Sequence, residues 1–224
     1  MLICCWSSKG GAGTTVVAAA LAITLARSSP GGALLADLAG DVPAVLGLPA
    51  DTDPGLAGWL AAAPSVPADA LARLEVPVGH GLAVLPRGAG PLAPAGAELL
   101  AAALAADPRP VIADVGVLGG ADRSVSLDVE VALALAAGAT RSLLVLRPCF
   151  LALRRALVAP VRPSGVVVVV EEGRALTALD VEEALGVPIL AEVRVTPQVA
   201  RAVDAGILAS RLPRTLERDL RHAA

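Results

Sequence analysis

The sequence is poor in the residues from which many catalytic and metal sites are built. In 224 residues it has no tyrosine, no asparagine and one phenylalanine, and only three cysteines and two histidines. His80 and His222 lie far apart, and no CxxC or Cys/His spacing occurs, so neither a cysteine–histidine metal site nor a Ser-His-Asp triad is indicated. We expect Cys4, Cys5 and Cys149 to be small buried apolar side chains, with the adjacent pair pointing to opposite faces of a strand.

Long apolar runs and a strong charge imbalance are also missing. No stretch reaches the roughly 18 uninterrupted apolar residues of a membrane-spanning helix. The short apolar run at the N-terminus has no basic region before it, which argues against a signal peptide. The formal net charge of −3 excludes a globally basic nucleic-acid-binding protein. These features predict a cytoplasmic protein.

Short apolar runs instead alternate with helix-like segments. This alternation predicts an α/β fold that is doubly wound, with a mostly parallel sheet and helices on both faces, and no second domain. An unbroken valine run at residues 166–170 is typical of a strand buried on both faces. The Pro-, Gly- and Ala-rich stretches 48–78 and 86–97 are expected to be surface connections. Predicted strands cover 2–7, 33–37, 82–85, 110–115, 142–147, 165–171 and 188–193. Predicted helices cover 15–28, 56–63, 95–106, 122–138, 149–158, 177–185, 197–206 and 213–222.

A glycine-rich stretch, residues 7–15, lies between the first predicted strand and an alanine-rich helical run. Glycines let the backbone approach an anion closely, and the N–H groups at the start of a helix point towards it. Within this stretch Lys9 is the only lysine of the chain, since every other basic residue is arginine or histidine. A compact point charge, rather than a planar guanidinium, is therefore indicated at this position. The stretch predicts a phosphate-binding loop.

Three acidic residues follow strands that would flank this loop. Asp37 ends the second predicted strand, Asp114 ends a later one, and Asp41 lies four residues beyond Asp37. Carboxylates at such strand ends hold Mg²⁺ directly or through water, and Thr15 would add a hydroxyl ligand. Asp41 would reach a water molecule in line with a γ-phosphate.

Other interpretations of these residues stay open. The loop could be only a tight turn, Asp37 and Asp114 could cap helices or be solvated loop acids, and Asp41 could be a surface acid. A dinucleotide-binding oxidoreductase is a further alternative. Residues 11–16 form a G-x-G-x-x-G motif without its last glycine, and Asp37 stands near the place of a ribose-binding acid. That alternative leaves Lys9, Thr15 and Asp114 without a role.

The loop resembles that of the ParA/MinD family of deviant Walker A ATPases. The family reads Lys-Gly-Gly-x-Gly-Lys-Thr where this sequence reads Lys-Gly-Gly-Ala-Gly-Thr-Thr at residues 9–15. The likeness extends to LAVLPR at 82–87, to ADVGVLG at 113–119 and to VTPQVARAVDAG at 195–206, and so covers most of the chain.

The resemblance implies a P-loop ATPase-like domain over residues 1–212, with ATP and Mg²⁺ as cofactors. It implies a homodimer that forms around ATP, with Lys9 reaching the phosphates of the partner subunit, and a role in positioning cargo such as chromosomes, plasmids, division proteins or pilus machinery. Lys9 and Asp41 would act in catalysis, and Thr15, Asp37 and Asp114 would hold the metal. The nucleotide would be bound by Lys9, Gly10, Gly11, Ala12, Gly13, Thr14 and Thr15.

Three positions depart from the family pattern. Thr14 replaces the lysine that normally lies over the β- and γ-phosphates, and a neutral hydroxyl cannot offset the charge that develops during phosphoryl transfer. Ala39 stands where many members carry a second aspartate, which Asp41 would replace. The segment 171–174, EEGR, stands where an asparagine usually reads adenine. Slow hydrolysis is therefore expected, and a pseudo-ATPase that binds nucleotide without hydrolysing it is the alternative.

The last residues, 213–224, are predicted to form a basic amphipathic helix or tail. Arg211, Arg214, Arg218 and Arg221 recur at helical spacing on one face, which would allow weak contact with anionic lipid or DNA and a peripheral position at the membrane or nucleoid. Leucines on the other face would instead pack a final helix onto the sheet, and that is the simpler alternative.

Overall fold

The computed structural model describes residues 1–49, 53–63, 65–119 and 127–223. Over these residues strands and helices alternate as the sequence predicts. The strands are β1 (Leu2–Ser7), β2 (Ala33–Asp37), β3 (Val76–Gly79), β4 (Leu82–Leu85), β5 (Val111–Val117), β6 (Arg141–Leu146), β7 (Gly165–Val170) and β8 (Ile189–Arg194). The helices are α1 (Thr14–Ser28), α2 (Val42–Leu46), α3 (Gly55–Ala62), α4 (Ala97–Ala106), α5 (Leu127–Gly138), α6 (Phe150–Leu157), α7 (Ala178–Leu185), α8 (Pro197–Asp204) and α9 (Arg214–Leu220).

The strands form one sheet in the order β3-β4-β2-β5-β1-β6-β7-β8. All neighbouring strands are parallel except β3 and β4, which form an antiparallel hairpin at one edge. Strand β5 lies between β1 and β2. In a dinucleotide-binding fold β1 and β2 are direct neighbours, so the strand order argues against the oxidoreductase alternative.

Helices cover both faces of the sheet, and the alternation of side chains along β1 shows how the two cores are divided. Leu2, Cys4 and Trp6 join the core under α3, α4 and α5, whereas Ile3 and Cys5 join the core under α1, α2 and α8. The two adjacent cysteines therefore point to opposite faces and are buried, as predicted, while Cys149 is half-buried. This arrangement confirms the doubly wound three-layer fold.

The sequence did not predict two of the described elements, strand β3 and helix α2. Most of β3 lies in the stretch 48–78, which its Pro-, Gly- and Ala-rich composition assigned to a surface connection. Pro77 and Gly79 also interrupt the apolar pattern of the strand. Proline is tolerated in edge strands, and β3 is an edge strand whose register with β4 shifts between these two residues. The second missed element is α2, which is only five residues long.

The predicted helix 122–138 is described in part. Residues 122–126 lie outside the described residues, and α5 covers Leu127–Gly138.

The C-terminal helix α9 packs against β8 and α1. Leu212, Leu216 and Leu220 are buried in the same core as α1, so the prediction that the leucines pack onto the sheet is confirmed. The four arginines of this segment are exposed. None of the described helices is both long enough and apolar enough to span a bilayer.

Candidate functional site

The glycine loop connects β1 to α1 with a backbone that requires glycine at two positions. Gly11 and Gly13 have φ angles of 76° and 91°, in the left-handed region that other residues rarely adopt. Gly13 precedes the first residue of α1, and no side chain caps the helix there. The first turn also contains no acidic residue. Its free N–H groups are therefore available to an anion.

The loop forms one wall of a cavity of about 530 Å³. Such a volume is within the range of small-molecule and cofactor sites. Residues from the ends of β2, β4 and β5 and from the start of α5 complete the wall. The lining residues are Ser7, residues 10–16, Leu38, Ala39, Asp41, Arg87, residues 115–117, Asp128, Val129 and Ala132. Because this cavity lies at the carboxyl ends of parallel strands, it has the position that ligands take in open α/β sheets.

Asp37 and Asp114 lie beneath this cavity at paired positions of β2 and β5. Both side chains are fully buried. Burial raises the pKa of Asp37 to about 7, with a smaller increase from the charge of Asp114, and backbone amides oppose the change. Burial likewise raises the pKa of Asp114 to about 6, opposed by the nearby Thr15 hydroxyl and the Gly116 amide. The charge of a third acidic residue, Asp41, also raises the pKa of both groups.

Both carboxyl oxygens of Asp37 accept hydrogen bonds from the segment that follows β2. Its Oδ1 accepts a hydrogen bond from the Gly40 amide at 2.7 Å, and its Oδ2 accepts one from the Val42 amide at 3.3 Å. Val42 is the first residue of α2, so Asp37 satisfies one N–H group at the start of that helix, although the N-cap position belongs to Asp41. Asp37 therefore shapes the loop that carries Asp41.

Asp114 has a free oxygen that suits a metal ion. Its Oδ1 accepts a hydrogen bond from the Gly116 amide at 3.2 Å, but its buried Oδ2 has no hydrogen-bond partner among the residues that the structure describes. The Thr15 hydroxyl is close enough to lower the pKa of this carboxyl. A buried, unpaired carboxylate oxygen next to a hydroxyl fits Mg²⁺, which prefers oxygen ligands. No group of three or more His, Cys, Asp or Glu side chains suited to a metal occurs in the described ranges, so water and ligand oxygens would complete the coordination.

Lys9 and Thr14 occupy different environments in the loop. Lys9 is half-buried and its Nζ donates to the Gly10 carbonyl at 3.4 Å, but the side chain does not line the cavity. Thr14 is the first residue of α1, only 7% exposed, and lines the cavity. The neutral side chain is therefore inside the site, and the lysine is at its margin.

The remaining residues singled out by the sequence are divided between the cavity and the surface. Asp41 is exposed and lines the cavity at the start of α2, where its side chain makes no capping hydrogen bond. Ala39 also lines the cavity. After β7, Arg174 forms an exposed ion pair with Glu171 at 2.6 Å. Neither residue of this pair lines the cavity.

Sequence reasoning missed one polar pair in the cavity wall. The Arg87 guanidinium donates to the Leu38 carbonyl at 2.6 Å and to the Asp128 carboxylate at 2.8 Å. Arg87 follows the end of β4, and Asp128 lies at the start of α5. A charged residue just beyond a parallel strand was the available signal, since ligands bind at these strand ends.

Comparisons with known proteins agree with this architecture. The sequence matches no protein-family model and no curated protein. Among solved structures, a ParA family ATPase from Chlorobium tepidum TLS aligns with a TM-score of 0.78 and 19% identity, over 98% of this chain and 95% of that one. The septum site-determining protein MinD from Pyrococcus horikoshii OT3, complexed with Mg-ADP, aligns with a TM-score of 0.75 and 18% identity, over 97% of this chain and 91% of that one.

An ATP complex of McdA from Cyanothece is also similar, with a TM-score of 0.68 and 16% identity over 98% of this chain and 93% of that one. All three likenesses extend over nearly the whole of both chains. At these identities they establish the architecture rather than the chemistry. The chain has the α/β fold of the ParA/MinD P-loop ATPases.

Proposed function

We propose that this protein is a ParA/MinD-like nucleotide switch that binds ATP and Mg²⁺, dimerises on ATP and hydrolyses it slowly. One observation carries the proposal. An uncapped helix N-terminus with two left-handed glycines opens into a cavity of about 530 Å³, directly above a buried pair of aspartates. The amides supply the contacts for phosphate oxygens, and the aspartates supply the environment for a divalent cation.

Each part of the site has a role in this proposal. The amides of residues 10–15 bind the phosphates. Asp114 and Thr15 would hold Mg²⁺, and Asp37, which holds the following loop in place, would add negative charge to the metal site. When bound, Mg²⁺ would neutralise phosphate charge and orient the phosphate oxygens. Asp41, exposed at the cavity wall, orients the attacking water.

Lys9 is proposed to act across a dimer interface. Its half-buried side chain lies at the margin of the site, and in the described part of the chain it forms no ion pair. An ammonium held in this way is free to pair with phosphate of a second subunit. ATP offers it more negative charge than ADP does, so the γ-phosphate would control dimerisation.

Light scattering with ATP and with ADP tests this role. The wild-type protein is expected to be dimeric with ATP and monomeric with ADP, and Lys9→Ala is expected to be monomeric with both. Arg73→Ala is the matched control, because it removes one positive charge from an exposed pair outside the cavity. A Lys9→Ala protein that still dimerises with ATP would refute the role of Lys9.

A second candidate function is that of a binding module, which keeps the nucleotide site but does not hydrolyse the nucleotide. The observation that favours it is Thr14, a neutral side chain that lines the cavity where the family carries a lysine. Steady-state phosphate release separates the two candidates. Activity well above that of a Lys9→Ala, Asp41→Ala double variant supports the ATPase, and equal activity supports the binding module.

The biological role proposed here is the positioning of cargo in the cytoplasm. The solved structures with this fold include a MinC:MinD cell division complex, which is consistent with a dimer that recruits a protein partner. Residues 1–212 would form the ATPase unit. In residues 213–224 the buried leucines are turned away from any lipid, so Arg211, Arg214, Arg218 and Arg221 would provide only weak electrostatic contact with membrane or DNA.

A further inference from the structure

The cavity is lined by one positively charged side chain that does not belong to the phosphate loop. Thr14 is neutral and Lys9 does not line the cavity. Among the described lining residues, Arg87 alone has a cationic side chain. A triphosphate bound against the loop would therefore meet one positively charged side chain of its own subunit, on the opposite wall.

The position of Arg87 brings its charge towards the loop. The residue follows β4, which is separated from β1 by β2 and β5. Its side chain crosses the end of β2: the guanidinium bonds to the Leu38 carbonyl, and its Cδ lies 3.2 Å from the place of a Cβ on Gly40. The charge is therefore about two strand spacings, roughly 10 Å, from the end of β1. Phosphates running from the loop across β5 would end beside it.

Arg87 lies in acidic surroundings and forms an ion pair with one of its acidic neighbours. Asp128 forms an ion pair with its Nη2 at 2.8 Å, and the Arg87 side chain is only 18% exposed. Asp41 lies in the same wall. A phosphate group is a stronger partner than one carboxylate, because it offers more charge and can bond a guanidinium through two oxygens.

We propose that Arg87 is a nucleotide-contacting residue that exchanges Asp128 for the terminal phosphate of bound ATP, and so provides the side-chain charge that Thr14 lacks. This inference rests on the proposed function. It assigns Asp128 the role of a competitor for the guanidinium: the carboxylate holds Arg87 in place until the terminal phosphate displaces it. No covalent bond changes in this exchange.

Calorimetric titrations with AMP-PNP and with ADP, both with Mg²⁺, test the assignment. In Arg87→Ala the affinity for AMP-PNP is expected to fall tenfold or more, while that for ADP falls less than threefold. Arg109→Ala is the matched control, because Arg109 has a similar exposure of 23% and is paired with Glu75 and Asp107 outside the cavity. Equal losses for the two nucleotides in Arg87→Ala would overturn the proposal.

Asp128→Asn gives an independent answer even if Arg87→Ala fails to fold. If the carboxylate competes with phosphate, this variant binds AMP-PNP more tightly than the wild type and has unchanged ADP affinity. If the pair only braces the wall, AMP-PNP binding weakens or stays the same, and the proposal is wrong. A wild-type protein that binds neither nucleotide would instead refute the proposed function, so the two failures are distinguishable.

Discussion

Asp37 and Asp114 are paired directly across the β2–β5 ladder, and both carboxyl groups are fully buried. Burial disfavours the charged form of both groups, and it raises the pKa of Asp37 to about 7 and that of Asp114 to about 6. The charge of Asp114 adds a smaller increase to the pKa of Asp37. A bound cation would remove this penalty, so the pair couples the stability of the fold to pH and to metal.

The first prediction concerns pH. Both folded-state pKa values lie above the unfolded value of about 3.9, so between pH 4 and 7 the folded protein binds more protons than the unfolded chain. The contribution of these two groups to the free energy of unfolding should therefore be most favourable at about pH 4 and below, and it should decrease towards pH 7. The slope is up to about 1.4 kcal/mol per pH unit for each group. Urea unfolding at a series of pH values measures it.

The control for this prediction separates the buried pair from other acids. Asp114→Asn should reduce the slope by about half, because one titrating group and its repulsion of Asp37 are removed. Asp69→Asn should leave it unchanged, since Arg73 lowers the pKa of Asp69 and its titration lies at lower pH. Millimolar Mg²⁺ should also reduce the slope. A slope in Asp114→Asn that equals the wild-type slope would contradict this explanation of the pair.

The second prediction concerns the loop backbone. At Gly13, φ is 91°, so an alanine there would be strained, although Val169 at 4.0 Å is the one described residue that its Cβ would meet. Gly13→Ala should lower the free energy of unfolding by about 1–2 kcal/mol and abolish nucleotide binding. Gly10→Ala is the matched control, since the added Cβ has no atom within 4 Å and the backbone there is not left-handed. Its effect on the free energy of unfolding should stay below about 0.5 kcal/mol. Equal losses of stability would show that the strain is not at Gly13.

The third prediction concerns the missing charge at position 14. Thr14 lines the cavity at the start of α1, so a longer side chain there extends towards the phosphates. Thr14→Lys should raise the rate of ATP hydrolysis about a hundredfold, because one charged contact in the transition state contributes about 3 kcal/mol. Thr14→Gln adds similar length without charge and should stay near the wild-type rate. Equal rates for the two variants would contradict the role assigned to charge.

The sequence predicted the parts of the site that depend on local order along the chain. The loop was recognisable because its glycines and Lys9 follow a strand and precede a helix. Asp37 and Asp114 were identified because each ends a predicted strand, and parallel strands bring such ends to one edge of the sheet. Their direct pairing, however, requires β5 to lie next to β2, and no local pattern specifies that order.

The parts that were missed depend on contacts between distant residues. Arg87 and Asp128 are 41 residues apart, and each looks like an ordinary surface charge in its own segment. The edge strand β3 was hidden by Pro77 and Gly79, which interrupt its apolar alternation. In each case the neighbour that gives the residue its role comes from another part of the chain.

The central claim is that the cavity above the β1–α1 loop binds a triphosphate. Isothermal titration with ATP, ADP and NAD, each with and without Mg²⁺, tests it most directly. We expect the protein to bind ATP, to bind it much more weakly when Mg²⁺ is removed, and to show no comparable binding of NAD. Absence of ATP binding, or tighter binding of NAD than of ATP, would contradict it.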